Sequence, residues 1–106
     1  MFFSDELNQS NEKEVQEIKE FLNNFQVEYD YPDKTFIIRD NGKIIATGSA
    51  SGNILKYFFS REEYKGQGAM GIIYNSLLNH LLENGYDSFF VLTTPNNKII
   101  FKSLGL

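Results

Sequence analysis

Glycine constrains this chain most at one place, the stretch Tyr64-Lys65-Gly66-Gln67-Gly68-Ala69-Met70-Gly71. It lies between a strand-like run, Ile54-Leu55-Lys56-Tyr57-Phe58-Phe59, and a helix-like run from Ile72 to Glu83. A largely apolar segment, Asp87 to Thr94, follows the helix. Strand, turn, helix and strand in this order read as a β-α-β crossover, so strands 54–59 and 87–94 are expected to be parallel neighbours. The turn also has a chemical consequence. A glycine-rich turn that opens a helix leaves N–H groups pointing outward, with the positive end of the helix dipole behind them. That arrangement suits an anion, most often the phosphate of a ligand.

The rest of the chain supplies an antiparallel half. Val15, Ile18, Leu22 and Phe25 fall at helical spacing, with Phe21 widening the stripe, and predict an amphipathic helix over 11–25. Asn11 followed by Glu14 resembles a capping box. After a turn at Tyr31-Pro32-Asp33-Lys34, two β-rich runs, Thr35 to Asp40 and Lys43 to Ser49, flank Asn41-Gly42. That pair tolerates the positive φ of a type I′ hairpin turn. Ser51-Gly52-Asn53 turns the chain into strand 54–59. Helix 69–84 presents Met70, Ile73, Leu77 and Leu81 on one face and stops at Asn84-Gly85. Pro95 is expected to start a short last helix, Asn96 to Leu104. The order α-β-β-β-α-β-α predicts a three-layer α+β domain on a mixed central sheet.

With 106 residues there is room for one domain, spanning 1–106. A net charge of −4 and ten dispersed Lys and Arg residues give no footprint for nucleic acid or an anionic membrane. No apolar run approaches the ~18 residues of a membrane span, and the Met-Phe-Phe start runs at once into Ser4-Asp5-Glu6 instead of forming a signal peptide. A cytoplasmic protein is expected. Cysteine is absent, which removes disulfides, thiolate metal sites and a cysteine nucleophile together; no metal site is predicted.

Gly66-x-Gly68-x-x-Gly71 matches the dinucleotide fingerprint literally, but that motif needs a strand ending at the first glycine and an acid ending the next strand. Here six residues separate Phe59 from Gly66, and Asp87 begins the next strand. A glycine-rich connection that merely turns the chain is the plainest alternative. A third reading uses the whole order of elements. Tyr64 to Met70 resembles the Gln/Arg-x-x-Gly-x-Gly/Ala loop of the GNAT acetyltransferase superfamily. The resemblance implies a GNAT-like fold in which a meander, a loop-helix and a fifth strand surround acetyl-CoA. It assigns the pyrophosphate to the amides around Lys65, Gly66, Gln67, Gly68, Ala69 and Met70. Lys65 stands where Gln or Arg is usual and Met70 where Gly or Ala is usual. Lysine keeps the charge but loses the planar fork.

Within that superfamily, Gly52-Asn53-Ile54-Leu55-Lys56 and Glu62-Glu63-Tyr64-Lys65-Gly66-Gln67-Gly68 look like the N-terminal GNAT-like domain of the citrate lyase ligases. The hairpin Ile38 to Ser49 and the stretch Thr94-Pro95-Asn96-Asn97-Lys98 fit as well, over roughly residues 25–106. The resemblance implies a CoA-like arm of dephospho-CoA type and the citrate lyase acyl carrier protein as partner. Those ligases continue into a nucleotidyltransferase domain with a His-x-Gly-His motif. This chain has one histidine, His80, and no such motif, so ATP-dependent ligation is not expected of it alone. GNAT domains place one or two further strands beyond the position of Leu106. Strand 87–94 is therefore expected to have an unpaired edge. That predicts either the N-terminal piece of a longer protein or a short relative completed by a partner, a homodimer included.

The resemblance is less clear about catalysis, and no catalytic residue is assigned. The family tyrosine that protonates the leaving thiolate falls at Phe101, which has no hydroxyl. Tyr57 and Tyr74 are substitutes by residue type alone. Glu62 and Glu63 read as bases or as solvated loop charges, and His80 as a surface residue. Asn97 is assigned either to the cofactor arm, by resemblance, or to a helix cap. Backbone groups of Phe58, Phe59 and Ser60 are the family's contacts to the pantetheine arm. Three functions follow: an acyltransferase, a non-catalytic module that holds a CoA-like arm, or an interaction domain with a vestigial groove.

Overall fold

The computed structural model describes residues 2–93 and 98–104. Its centre is a six-stranded sheet in the order β1 (Ser4–Glu6), β2 (Lys34–Asp40), β3 (Lys43–Ser51), β4 (Ile54–Ser60), β5 (Ser88–Leu92) and β6 (Ile99–Ser103). Only β4 and β5 run parallel; the other pairs are antiparallel. Helix α1 (Glu12–Asn23) lies on one face and α2 (Ala69–Glu83) on the other. The alternation of strand side chains produces the two cores. In β2, Ile37 joins the α1 core while its neighbour Ile38 joins the α2 core. The three-layer α+β architecture, the hairpin at Asn41-Gly42 and the parallel crossover all agree with the sequence.

Helix α1 starts where Asn11 accepts the N–H groups of Lys13 and Glu14 at 3.0 and 3.2 Å. It buries Val15, Ile18, Phe21 and Leu22. Helix α2 is more apolar and buries Ile73, Leu77 and Leu81 completely. Each such side chain contributes about 1.5–3 kcal/mol of transfer free energy.

Two elements differ from the sequence-based expectation. Strand β1 was not foreseen, because three polar residues carry no periodicity; its backbone adds to β2 at Ser4↔Ile38. Residues 99–103 form β6, not a helix. The open edge of β5 offers backbone partners along its whole length, and the β-branched Ile99-Ile100 and Phe101 suit a strand. The edge expected to be bare on strand 87–94 is thus paired, and the outer edge moves to β6. The start of the expected last helix, including Asn96 and Asn97, lies outside the described residues.

The sheet is irregular at one point. Thr47 pairs with Phe59 and Ser49 with Lys56, so Gly48 stands opposite two residues, Tyr57 and Phe58. This is a β-bulge, and Tyr57 takes φ +60 to form it. Gly48 is required for a second reason: a Cβ there would lie 2.5 Å from Ile73 Cγ2 and 3.0 Å from Leu77 Cδ1. Helix α2 packs directly onto this backbone. Gly48→Ala is expected to cost about 1–3 kcal/mol through overpacking, read as a lower urea midpoint, whereas Gly42→Ala meets no neighbour and is limited to its backbone strain.

Candidate functional site

Strands β4 and β5 pair only at Ile54↔Phe90 and Leu55↔Val91. Beyond them β4 leaves its neighbour, and contacts on the α1 side hold it there. Phe59 stacks on Phe25 at 4.4 Å, Tyr57 Oη donates to Glu28 O at 2.9 Å, and Lys56 pairs with Asp30. The parting strands leave a groove of about 590 Å³ on the α2 side. Phe58, Met70 and Val91 give it apolar walls, with Gly71, Tyr74, Leu92, Thr93 and Lys102 completing the lining. Mostly apolar walls with a few polar groups are the usual make-up of a small-molecule site.

The glycine loop leads into the groove, whose lining it joins at Met70 and Gly71. A short 3-10 turn, Glu62–Tyr64, is anchored to the hairpin by Tyr64 Oη, which donates to Asp40 Oδ2 at 2.6 Å. Gly66 and Gly68 then adopt φ +81 and +87, and a Cβ at either would meet nothing within 4 Å. Here glycine is needed for its backbone angle, and the space outside the loop is open. Gly68 is the N-cap of α2; among the described residues no side chain caps that helix, and its first turn holds no acid. Among the described residues the N–H groups of Gly66 and Gly68 have no hydrogen-bond partner. Those of Ala69, Met70 and Gly71 lie in the first turn, where no intrahelical acceptor exists. Five donors therefore cluster in sequence at the start of α2, two of them on the groove-lining residues Met70 and Gly71, backed by the positive end of a 15-residue helix.

The predicted residues divide around this geometry. Phe58 and Met70 line the groove, and Gly66, Gln67, Gly68 and Ala69 form the loop. Ala69 is buried in the α2 core and contributes only its backbone. Gln67 turns back to donate to Glu63 O at 3.1 Å. Lys65 pairs with Glu62 at 2.9 Å, both largely exposed, which is worth little in water. Phe59 points to the α1 side and its backbone pairs with Thr47 of β3, whereas the backbone of Ser60 is turned away from β3. Asn97 lies outside the described residues.

Of the two substitute tyrosines, Tyr57 is turned away to the α1 side, while Tyr74 lines the groove. The Tyr74 ring is bracketed by Phe58 at 6.1 Å and Phe89 at 6.2 Å, and burial pushes its phenol pKa up. Phe101 packs on Phe90 at 5.4 Å on the opposite face of the sheet. It has neither the hydroxyl nor the position of a groove acid. His80 sits in the last turn of α2 beside Asn84, outside the groove. The lining at Lys102 had no signal in the sequence, because its placement depends on β6 being a strand.

The chain matches the Acetyltransferase (GNAT) family over residues 2–100. It is 28% identical over 97 residues to citrate (pro-3S)-lyase ligase of Escherichia coli K12, covering 91% of this chain and 28% of that protein's length. Among solved structures, a GNAT-family acetyltransferase of Staphylococcus aureus Mu50 superposes with a TM-score of 0.66 at 16% identity, covering 88% of this chain and 74% of the other. A GNAT acetyltransferase of Brucella melitensis in complex with acetyl-CoA gives 0.62 at 10% identity, covering 100% and 90%. Among the described residues no helix is long and apolar enough to cross a membrane.

The tyrosines set an alkaline limit. Burial raises the pKa of Tyr29, Tyr57 and Tyr74 in the folded chain above the ordinary value. Above pH about 10 the unfolded chain releases these protons while the folded chain retains them. Stability contributed by these groups is thus complete below pH 10 and is lost as pH rises through their folded values. Melting temperature is expected to be flat from pH 7 to 9 and to fall above 10, with a shallower fall in Tyr57→Phe.

Proposed function

The chain belongs to the GNAT acetyltransferase family, and on that footing we propose that its groove holds acetyl-CoA or a CoA-like arm of dephospho-CoA type. The diphosphate lies against the amides from Gly66 to Met70, with Lys65 at the rim. The pantetheine arm follows the splayed half of β4, taking hydrogen bonds from the backbone of Phe58 and Ser60, with that of Phe59 held by β3, and Asn97 contacts the arm. The observation that carries this reading is the uncapped start of α2, opening directly onto the parting of β4 and β5. A bound acyl-CoA supplies an activated thioester for transfer to an acceptor, and the apolar groove keeps water from the arm.

The narrower proposal is a role as the N-terminal part of a citrate lyase ligase, in the cytoplasm, serving the citrate lyase acyl carrier protein. The 28% identity supports it, and the relative's greater length leaves room for the ATP-dependent domain. A second reading, a non-catalytic module that recognises a CoA-like arm, is favoured by the lining itself. Among the described residues no carboxylate lines the groove, and Phe101 faces away from it.

Calorimetric titration with CoA, dephospho-CoA and acetyl-CoA tests the first proposal; absence of binding by all three would remove it. Binding without acetyl transfer to a panel of amines would select the recognition module. Gly68→Asp places a like charge in the donor cluster, where such contacts cost several kcal/mol, so affinity should fall about a hundredfold. Gly68→Asn tolerates the same backbone angle without the charge and should retain most of the affinity. Equal loss in both variants would assign the effect to the backbone instead.

A further inference from the structure

The glycine loop is tied to the β2–β3 hairpin through one tyrosine. Its other polar side chains serve the loop itself: Lys65 pairs with Glu62, and Gln67 Nε2 donates to Glu63 O. Its backbone bonds are equally local, Lys65 N–H to Glu62 O at 3.2 Å and Gln67 N–H to Tyr64 O at 3.3 Å. Among the described residues one side-chain bond from the loop reaches a distant element. Tyr64 Oη donates to Asp40 Oδ2 at 2.6 Å. An O–H donated to a carboxylate at this length is a charge-assisted hydrogen bond, roughly twice as strong as a neutral one.

Both ends of that bond are fixed. Asp40 closes β2 and pairs with Lys43 across the Asn41-Gly42 turn, so its place follows from the hairpin. The ring of Tyr64 meets Phe2 edge-on at 6.0 Å and packs on the α2 core. Arg61 secures the approach to the loop: its N–H donates to Ile45 O and its Nε to Ile44 O, both at 2.8 Å. In a regular strand successive carbonyls point to opposite edges. Ile45 is the extra residue where Ala46 opposes Ile38 and Ile44 opposes Arg39, and this bulge lets both carbonyls face Arg61. The bond to Asp40 also raises the Tyr64 phenol pKa above its ordinary value, which keeps the hydroxyl a donor.

On the reading of the groove as a CoA site, we propose that Tyr64 and Asp40 are positioning residues for the anion cradle, holding Gly66 and Gly68 where their N–H groups face a bound diphosphate. Glycine has the widest choice of backbone angles. Gly66 and Gly68, at φ +81 and +87, keep theirs only if the chain is held on both sides of them. Helix α2 holds the exit from the loop, and Tyr64 holds the entry. With the entry released, the loop samples many conformations and the ligand must order it on binding. Neither Tyr64 nor Asp40 lines the groove, so the effect falls on affinity for the diphosphate.

Calorimetry and ¹⁵N relaxation on the full 106-residue chain test this. Tyr64→Phe keeps the ring and loses the donor. Its affinity for CoA is expected to fall about tenfold, the lower end of what a hydrogen bond to a charged group contributes. Asp40→Ala should lose as much, and the double variant no more than either single one, as two partners in one bond require. Asp40→Asn retains an acceptor and should keep affinity within about threefold of the unmodified chain. Without ligand, the Gly66 and Gly68 amides of Tyr64→Phe should gain fast motion while those of Ile73 and Leu77 in α2 do not. A general loss of stability would not produce that contrast. Equal CoA affinity in Tyr64→Phe and the unmodified chain overturns the proposal, as do additive losses in the double variant or loop amides equally mobile in both. An unmodified chain that binds none of CoA, dephospho-CoA and acetyl-CoA removes the reading of the groove itself, and this proposal with it.

Discussion

Strand β4 serves two neighbours, and it can satisfy both only by bending between them. Its first residues pair with β5 and its last with β3 alone, and the change occurs at the bulge where Tyr57 and Phe58 oppose Gly48. The bulge places Tyr57 in the α1 core and Phe58 in the α2 core from adjacent positions. A tyrosine at φ +60 is strained by of order 1–3 kcal/mol. The hydrogen bond to Glu28 and the stacking of Phe25 on Phe59 hold that conformation in place. Without the bend the sheet would zip closed and the groove would not exist.

The same point explains why α2 sits where it does. Gly48 removes the side chain that would hold the helix off the sheet, and Ile73 and Leu77 fill the space. That contact fixes the helix axis, and the axis fixes where the first-turn donors point. A substitution at Gly48 would therefore be felt at the anion cradle, although the two are separated by a full turn of helix. The family's loop carries its function through backbone, not side chains. This fits the finding that Lys65 and Gln67 spend their polar ends on Glu62 and Glu63.

Much of this was legible in the sequence, because the signals were local. Asn41-Gly42 allows one hairpin turn, the 3.6-residue spacing of Ile73, Leu77 and Leu81 allows one buried helical face, and a strand on either side of that helix requires a crossover. Other features depend on tertiary partners. The sequence 99–103 reads equally well as helix or strand, and only the vacant edge of β5 decides it. The bulge is signalled by no glycine in β4, since the glycine stands on β3. Tyr74 was visible as a hydroxyl without a location, and Lys102 could not be placed until β6 was a strand. The loop residues were found by motif, but which of their atoms matter became clear only from the backbone angles.

The uncapped start of α2 also has a thermodynamic meaning. A helix that begins with unsatisfied donors frays from that end, and an anion bound there replaces the missing cap. Any ligand that prefers this folded state stabilises it by mass action, by about 2.7 kcal/mol at a hundredfold excess over its dissociation constant. Against the ordinary 5–15 kcal/mol of a small domain, that is a large share. Under the proposed reading, the lifetime of the folded chain rises and falls with the supply of its cofactor, so metabolic state is written into protein abundance.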